Sequence, residues 1–159
     1  MSEATFPPAP PLFVERWFNS PHDVTLESLR GKVVVVEAFQ MLCPGCVSHG
    51  IPQAQRIQAA FGSAGVVVLG LHTVFEHHAA MTPVSLEAFL HEYKVTFPVG
   101  VDLAHASGMP QTMRAYQMQG TPTLILIDAQ GRLRKQWFGA ANDLMVGAEI
   151  MRLLLGDGG

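Results

Sequence analysis

The sequence predicts an α/β fold, a three-layer sandwich with a mixed central sheet flanked by helices. Three observations carry this expectation. Two short valine-rich runs, 32–39 and 66–71, have the composition of strands buried on both faces. Segments with apolar residues at helical spacing separate the strands, so strand and helix alternate along the middle of the chain. Two further apolar runs, 123–127 and 132–138, flank the turn Asp128-Ala129-Gln130-Gly131 as a hairpin, and a final helix follows. With 159 residues and no internal repeat or linker, the chain reads as a single domain, 1–159.

Taken in order, residues 1–11 hold four prolines and read as an irregular lead-in. Phe13, Trp17 and Phe18 suggest a short strand or turn packed on the body, and residues 26–31 a helical turn closed by Gly31. The run 32–39 then belongs at the sheet centre. Ile51, Ala54, Ile57 and Phe61 mark a helix over 47–61, which Pro52 is expected to kink. After the strand 66–71, Thr82 and Pro83 open a helix over 83–93 with Leu86, Phe89 and Leu90 on one face. Residues 97–101 read as a strand and 109–116 as a short helix. The last helix, 142–155, capped by Asn142 or Asp143, is apolar nearly all round and packs on the sheet or on a neighbour.

Composition removes several function classes. Hydrophobic residues make up 48% and charged residues only 14%, against about 25% charged in an ordinary soluble domain, so the chain is not disordered. So few charges are compatible with a homo-oligomer interface. Ten basic and thirteen acidic residues give a net charge of −3 with no basic cluster, which excludes nucleic acid and anionic membrane as expected partners. No apolar run approaches the roughly 18–20 residues of a membrane span. The first residues show neither a basic nor an apolar leader segment, so the expected address is cytoplasmic.

Two cysteines cannot build a disulfide scaffold, and Cys43-Pro44-Gly45-Cys46 is too short to staple distant segments, so their purpose is chemical. Four residues after the buried strand, they fall where strand hands over to helix. At that place the first thiol meets unpaired N–H groups and the positive end of the helix dipole, which can take a cysteine pKa from about 8.5 down to roughly 3.5–7.5. Cys43 is therefore the expected nucleophile and Cys46 the resolving thiol. Pro44 and Gly45 make the turn between them tight and exposed.

At these residues the chain resembles the thioredoxin superfamily, and most closely the TlpA/ResA-like thiol-disulfide oxidoreductases. The resemblance runs over 26–155. Its anchors are the run 31–39 leading into Cys43-Pro44-Gly45-Cys46, and Gly120-Thr121-Pro122-Thr123 leading into the strand before Gly131-Arg132. It implies a thioredoxin-like fold with an inserted strand–helix segment over 72–100, a protein or small-molecule disulfide as substrate, a redox partner of unknown nature, and no cofactor or metal. Pro122 is implied to be cis and, with Thr121, Pro44 and Gly45, to line the substrate site. Glu37 stands where thioredoxins carry a buried acid, which would shuttle the proton of Cys46. The residues alone equally allow a strand-end carboxylate paired with water or a lysine. His49, three residues after Cys46, would tune the thiolates or face solvent.

Three departures stand out. Leu42 replaces the tryptophan that usually precedes the first cysteine, and Pro52 lies six residues after Cys46 rather than the family's usual five. The loop 72–78 carries three histidines and Glu76 with no evident counterpart. Two rival readings follow from the same cysteines. A peroxiredoxin-like peroxidase would need Pro and Thr or Ser where Val36 and Gln40 stand. A non-enzymatic metal-binding module would use Cys43, Cys46 and a histidine, at a cysteine spacing one residue shorter than usual for it.

Overall fold

The computed structural model describes residues 5–156. One six-stranded sheet runs in the order β1-β4-β3-β2-β5-β6, with β1 Val14–Phe18, β2 Val33–Phe39, β3 Val66–His72, β4 Val99–Asp102, β5 Thr123–Ile127 and β6 Leu133–Phe138. Its helices are α1 Ile51–Phe61, α2 Pro83–Glu92, α3 Gln111–Ala115 and α4 Asp143–Leu155. The pairs β2–β3 and β3–β4 are parallel, while β2–β5, β5–β6 and β1–β4 are antiparallel, so the sheet is mixed.

All seven residues of β2 are buried, and their parity decides which layer each one meets. Val33, Val35 and Phe39 join Ile51, Ala54 and Ile57 of α1, Leu86 and Leu90 of α2, and Val146, Ile150 and Leu153 of α4 in one core. Val34, Val36 and Ala38 join Leu26, Met113 and Tyr116 in the core on the opposite face. Glu37 shares the parity of Val35 and Phe39, so it points toward the α1 side. Burying an apolar side chain of this size contributes about 1.5–3 kcal/mol. Six apolar neighbours on the strand therefore offset the roughly 1–3 kcal/mol cost of one polar group left without a partner.

The expected insertion supplies α2 and runs into β4, which enters the sheet between β3 and β1. Thr82 caps α2 as expected, its hydroxyl accepting the Ser85 N–H at 3.3 Å. The strand predicted from Phe97 starts two residues later at Val99: Pro98 has no N–H to give a ladder, and its carbonyl, accepting the Gly70 N–H at 2.8 Å, opens the pairing with β3. Pro110 at the N-cap likewise shortens the expected 109–116 helix to α3.

Residues 1–4 of the expected lead-in lie outside the described residues. The rest is irregular but pinned: the carbonyl of Pro7 accepts the Leu133 N–H at 2.8 Å, Ala9 donates to Gly131 at 2.9 Å, and the Tyr116 hydroxyl donates to the carbonyl of Pro10 at 2.6 Å. Asp128 holds the β5–β6 turn, accepting from the Arg132 backbone at 2.9 Å, from Arg132 Nε at 2.7 Å and from Arg134 at 3.0 Å. Burial alone would raise its carboxyl; these bonds more than offset it and hold it below the ordinary carboxylate range.

Helix α4 buries Val146, Ile150 and Leu153 against the sheet while Leu144, Met151 and Leu155 stay exposed on its other side. Its N-cap is Asn142, whose Oδ1 accepts the N–H groups of Leu144 at 2.9 Å and Met145 at 3.3 Å. Asn142→Ala should cost about 1 kcal/mol of stability, read from the midpoint of denaturant unfolding with the slope unchanged.

Candidate active site

Both cysteines sit on the helix that follows β2, across a three-residue turn, at the carboxyl end of the parallel strands. Cys43 caps this helix: its carbonyl accepts the N–H groups of Cys46 at 3.1 Å and Val47 at 3.2 Å. Its Sγ lies 3.3 Å from the Cys46 N–H and 3.5 Å from the Thr121 carbonyl oxygen. A thiol there can donate to Thr121; a thiolate can accept from Cys46. Cys43 is half-buried, whereas Cys46 is fully buried, and both are free thiols. Burial, and next the neighbouring Cys43, push the Cys46 thiol well up, so its proton stays on.

The second anchor closes over this turn. The Thr121–Pro122 peptide is cis. Gly45 lies against the proline ring, since a Cβ at Gly45 would stand 3.4 Å from Pro122 Cδ. Thr123 Oγ1 donates to the Gly120 carbonyl at 2.7 Å, and the Gly139 N–H donates to the Pro122 carbonyl at 2.8 Å, which hold the loop on both sides. Thr121, Pro122, Gly45 and Cys43 are thus brought together, with Pro44 exposed at the rim and Leu42, 58% exposed, beside it.

Glu37 is 1% exposed, and its Oε1 has no hydrogen-bond partner among the described residues. Burial, and next the charge of Cys43, raise its carboxyl well above the ordinary range. The strand-end carboxylate paired with a lysine is not what the fold builds. The helix beyond Cys46 also departs from expectation. Residues 46–50 form a π turn in which the Ile51 N–H bonds to the Cys46 carbonyl, and α1 begins only afterward. The extra residue before Pro52 is absorbed there, and Pro52 falls in the first turn of α1, directly after the π turn. His49, on the same turn, places Nε2 3.0 Å from the Ala141 carbonyl; a carbonyl only accepts, so that nitrogen carries the proton. The same oxygen accepts from Gln53 at 2.8 Å, tying the cysteine helix to the entry of α4.

Sequence reasoning missed three participants. Gly50 faces Glu37 and Pro122. His72, expected in a loop, is the last residue of β3 and is buried; its Nε2 accepts the Met41 N–H at 3.2 Å, and burial pushes its pKa down to about 4. Gln40, also buried, accepts the Phe75 N–H at 3.1 Å. Reciprocal bonds therefore clip the turn that carries Cys43 to the segment after β3. For His72 the signal was its place at the end of a buried strand; for Gln40 there was none. Among the described residues, no three His, Cys, Asp or Glu side chains come together as metal ligands.

The profile of the AhpC/TSA family matches residues 10–136. The chain belongs to the AhpC/TSA family. Among solved structures, this AhpC/TSA protein is similar to a thioredoxin-like superfamily protein, at 63% identity and TM-score 0.91 over 92% of this chain and 96% of the other. It is also similar to a thiol-disulfide isomerase from Corynebacterium glutamicum, at 48% identity and TM-score 0.88 over 93% and 97% of the two chains. The TlpA/ResA-like resemblance holds: the thiol-disulfide oxidoreductase ResA of Halalkalibacterium halodurans is 25% identical over 131 residues, 82% of this chain and 67% of ResA. Protein DipZ of Mycobacterium bovis is 30% identical over 143 residues, which is 89% of this chain but only 19% of DipZ.

His72 gives this AhpC/TSA protein a measurable pH dependence. Its folded pKa of about 4 lies below the ordinary 6.5, so its contribution is complete above pH 6.5 and is lost as pH falls toward 4. About 3 kcal/mol should disappear over that window, and His72→Gln, which keeps an acceptor without titrating, should flatten this part of a stability-against-pH curve.

Proposed function

We propose that this protein is a thiol-disulfide oxidoreductase in which Cys43 attacks the substrate and Cys46 resolves the intermediate. The observation that carries the reading is the asymmetry of the pair: a half-buried Sγ at a helix N-terminus, against the Thr121 carbonyl, backed by a fully buried thiol three residues on. In the forward direction the Cys43 thiolate bonds one sulfur of the substrate disulfide, and the other sulfur leaves. Cys46 then gives its proton to Glu37, bonds Cys43 Sγ, and releases the second substrate sulfur as a thiolate. A carboxylate made more basic by burial suits that transfer.

Substrate disulfides of proteins are the class proposed, docking as extended backbone along Thr121 and Pro122 over the rim formed by exposed Pro44 and half-buried Gly45. Reduction is the direction proposed, in a cytoplasmic setting, with the regenerating partner left open. His49 acts on the pair through its hold on Ala141. The exposed apolar side chains of α4 support association between copies, which sedimentation of the wild type against Leu144→Glu tests.

Insulin reduction should proceed with the wild type, vanish with Cys43→Ser, and stall as a trapped mixed disulfide with Cys46→Ser. Glu37→Gln should slow release from that intermediate by about 10²-fold while leaving the first attack nearly unchanged. Rapid peroxide consumption by the same sample would instead favour the peroxidase. Val36 is buried and the Gln40 side chain is committed to Phe75 and Glu76, which leaves neither free to cradle a peroxide. Stoichiometric metal retained after chelator-free purification would favour the metal-binding module.

A further inference from the structure

Gly50 has φ −61° and ψ −55°, an ordinary helical conformation that any residue adopts. Its backbone does not ask for glycine. The space around it does. A Cβ at this position would overlap Glu37 Oε1, lie 3.1 Å from Glu37 Cδ and stand 3.0 Å from Pro122 Cβ. A glycine that only eased packing of a helix on a sheet would meet apolar side chains. This one meets a buried carboxyl oxygen that has no hydrogen-bond partner among the described residues, and the proline of the cis loop.

The π turn explains how glycine comes to stand there. The helix carries one residue more between Cys46 and Pro52 than the resemblance leads one to expect, and the surplus is wound into residues 46–50, of which Gly50 is the last. The turn therefore ends on the one residue type that leaves room for the acid. Cys46 and Gly50 are both fully buried on this turn, so the same short segment carries the resolving sulfur and the floor under the carboxyl.

We propose that Gly50 is a positioning residue of the redox site, its missing side chain letting the Glu37 carboxyl and Pro122 close together behind the cysteine helix. The proposal rests on the reading that Cys43 and Cys46 exchange disulfides, and it adds the residue that sets where their proton acceptor sits. Gly50 acts only through Glu37 and Pro122. With a side chain at position 50 the carboxyl must swing away, and the acceptor for the Cys46 proton is displaced.

The test compares wild type, Gly50→Ala, Glu37→Ala and the double variant. One readout is the pH dependence of the rate at which Cys46 resolves a mixed disulfide on Cys43; the other is an NMR titration of the Glu37 carboxyl in the reduced protein. Gly50→Ala should slow resolution about tenfold, flatten its pH profile, and move the Glu37 carboxyl toward the ordinary value of about 4.3. In the Glu37→Ala background, where the overlap with the carboxyl is gone and only the 3.0 Å approach to Pro122 Cβ remains, the same substitution should change the rate less than twofold. Propensity alone argues the other way, since alanine is the better helix former. Wild-type rate and titration in Gly50→Ala would overturn the proposal, as would an equal tenfold loss in both backgrounds. Should Gly50→Ala fail to fold, folding of the double variant supports the proposal, and failure of both reduces Gly50 to a packing residue. A wild type that exchanges no disulfide sinks the redox reading instead, and the carboxyl titration still decides the role of Gly50.

Discussion

Burial of β2 on both faces governs where every group of the site can point. A strand with a period of two has only two directions for its side chains, and both are filled by apolar cores here. A single carboxyl inside such a strand cannot turn to water. Glu37 is consequently held against the α1 layer, beneath the cysteine turn that its own strand delivers six residues later. A shift of register by one residue would send it into the opposite core and leave the cysteines without an acid.

The same strand end explains why the reactive sulfur is accessible and its partner is not. The chain leaves the sheet at Phe39, and Cys43 is spent on capping the helix, so its side chain remains at the rim. Cys46, one turn further in, falls under the helix and joins the core with Ile51 and Ala54. Helix geometry at i and i+3 therefore separates the two thiols by environment while keeping them close. The partner anchor reaches them from β5, which pairs with β2 from Val34↔Ile127 to Ala38↔Thr123, so the loop carrying Thr121 and Pro122 emerges beside the cysteine turn.

Around this centre the fold spends its buried polar groups on fixing loops. His72 and Gln40 cross-link the turn before Cys43 to the segment after β3, and Asp102 accepts from Thr73, Thr112 and Met113 to hold the start of α3. Hydrogen bonds of this kind contribute modestly when made, but a buried donor left unmatched costs about 1–3 kcal/mol, which gives the loops a single arrangement. A disulfide-exchange site requires that definition, since attack needs the two sulfurs and the docking loop at a few fixed distances.

Much of this was legible in the sequence. Composition and valine runs identify buried strands, helical spacing identifies the helices between them, and the turn at Asp128 identifies the hairpin, because these are local consequences of side-chain burial and backbone preference. The cysteine spacing likewise announces the chemistry, since two thiols three apart at a helix start have few other uses. Tertiary structure alone decided that the surplus residue before Pro52 becomes a π turn, that His72 turns inward to hold Met41, and that Gly50 meets Glu37. Those outcomes depend on contacts between segments distant along the chain, such as the 50 and 122 positions, and no local pattern encodes which atom will occupy the space a missing side chain leaves.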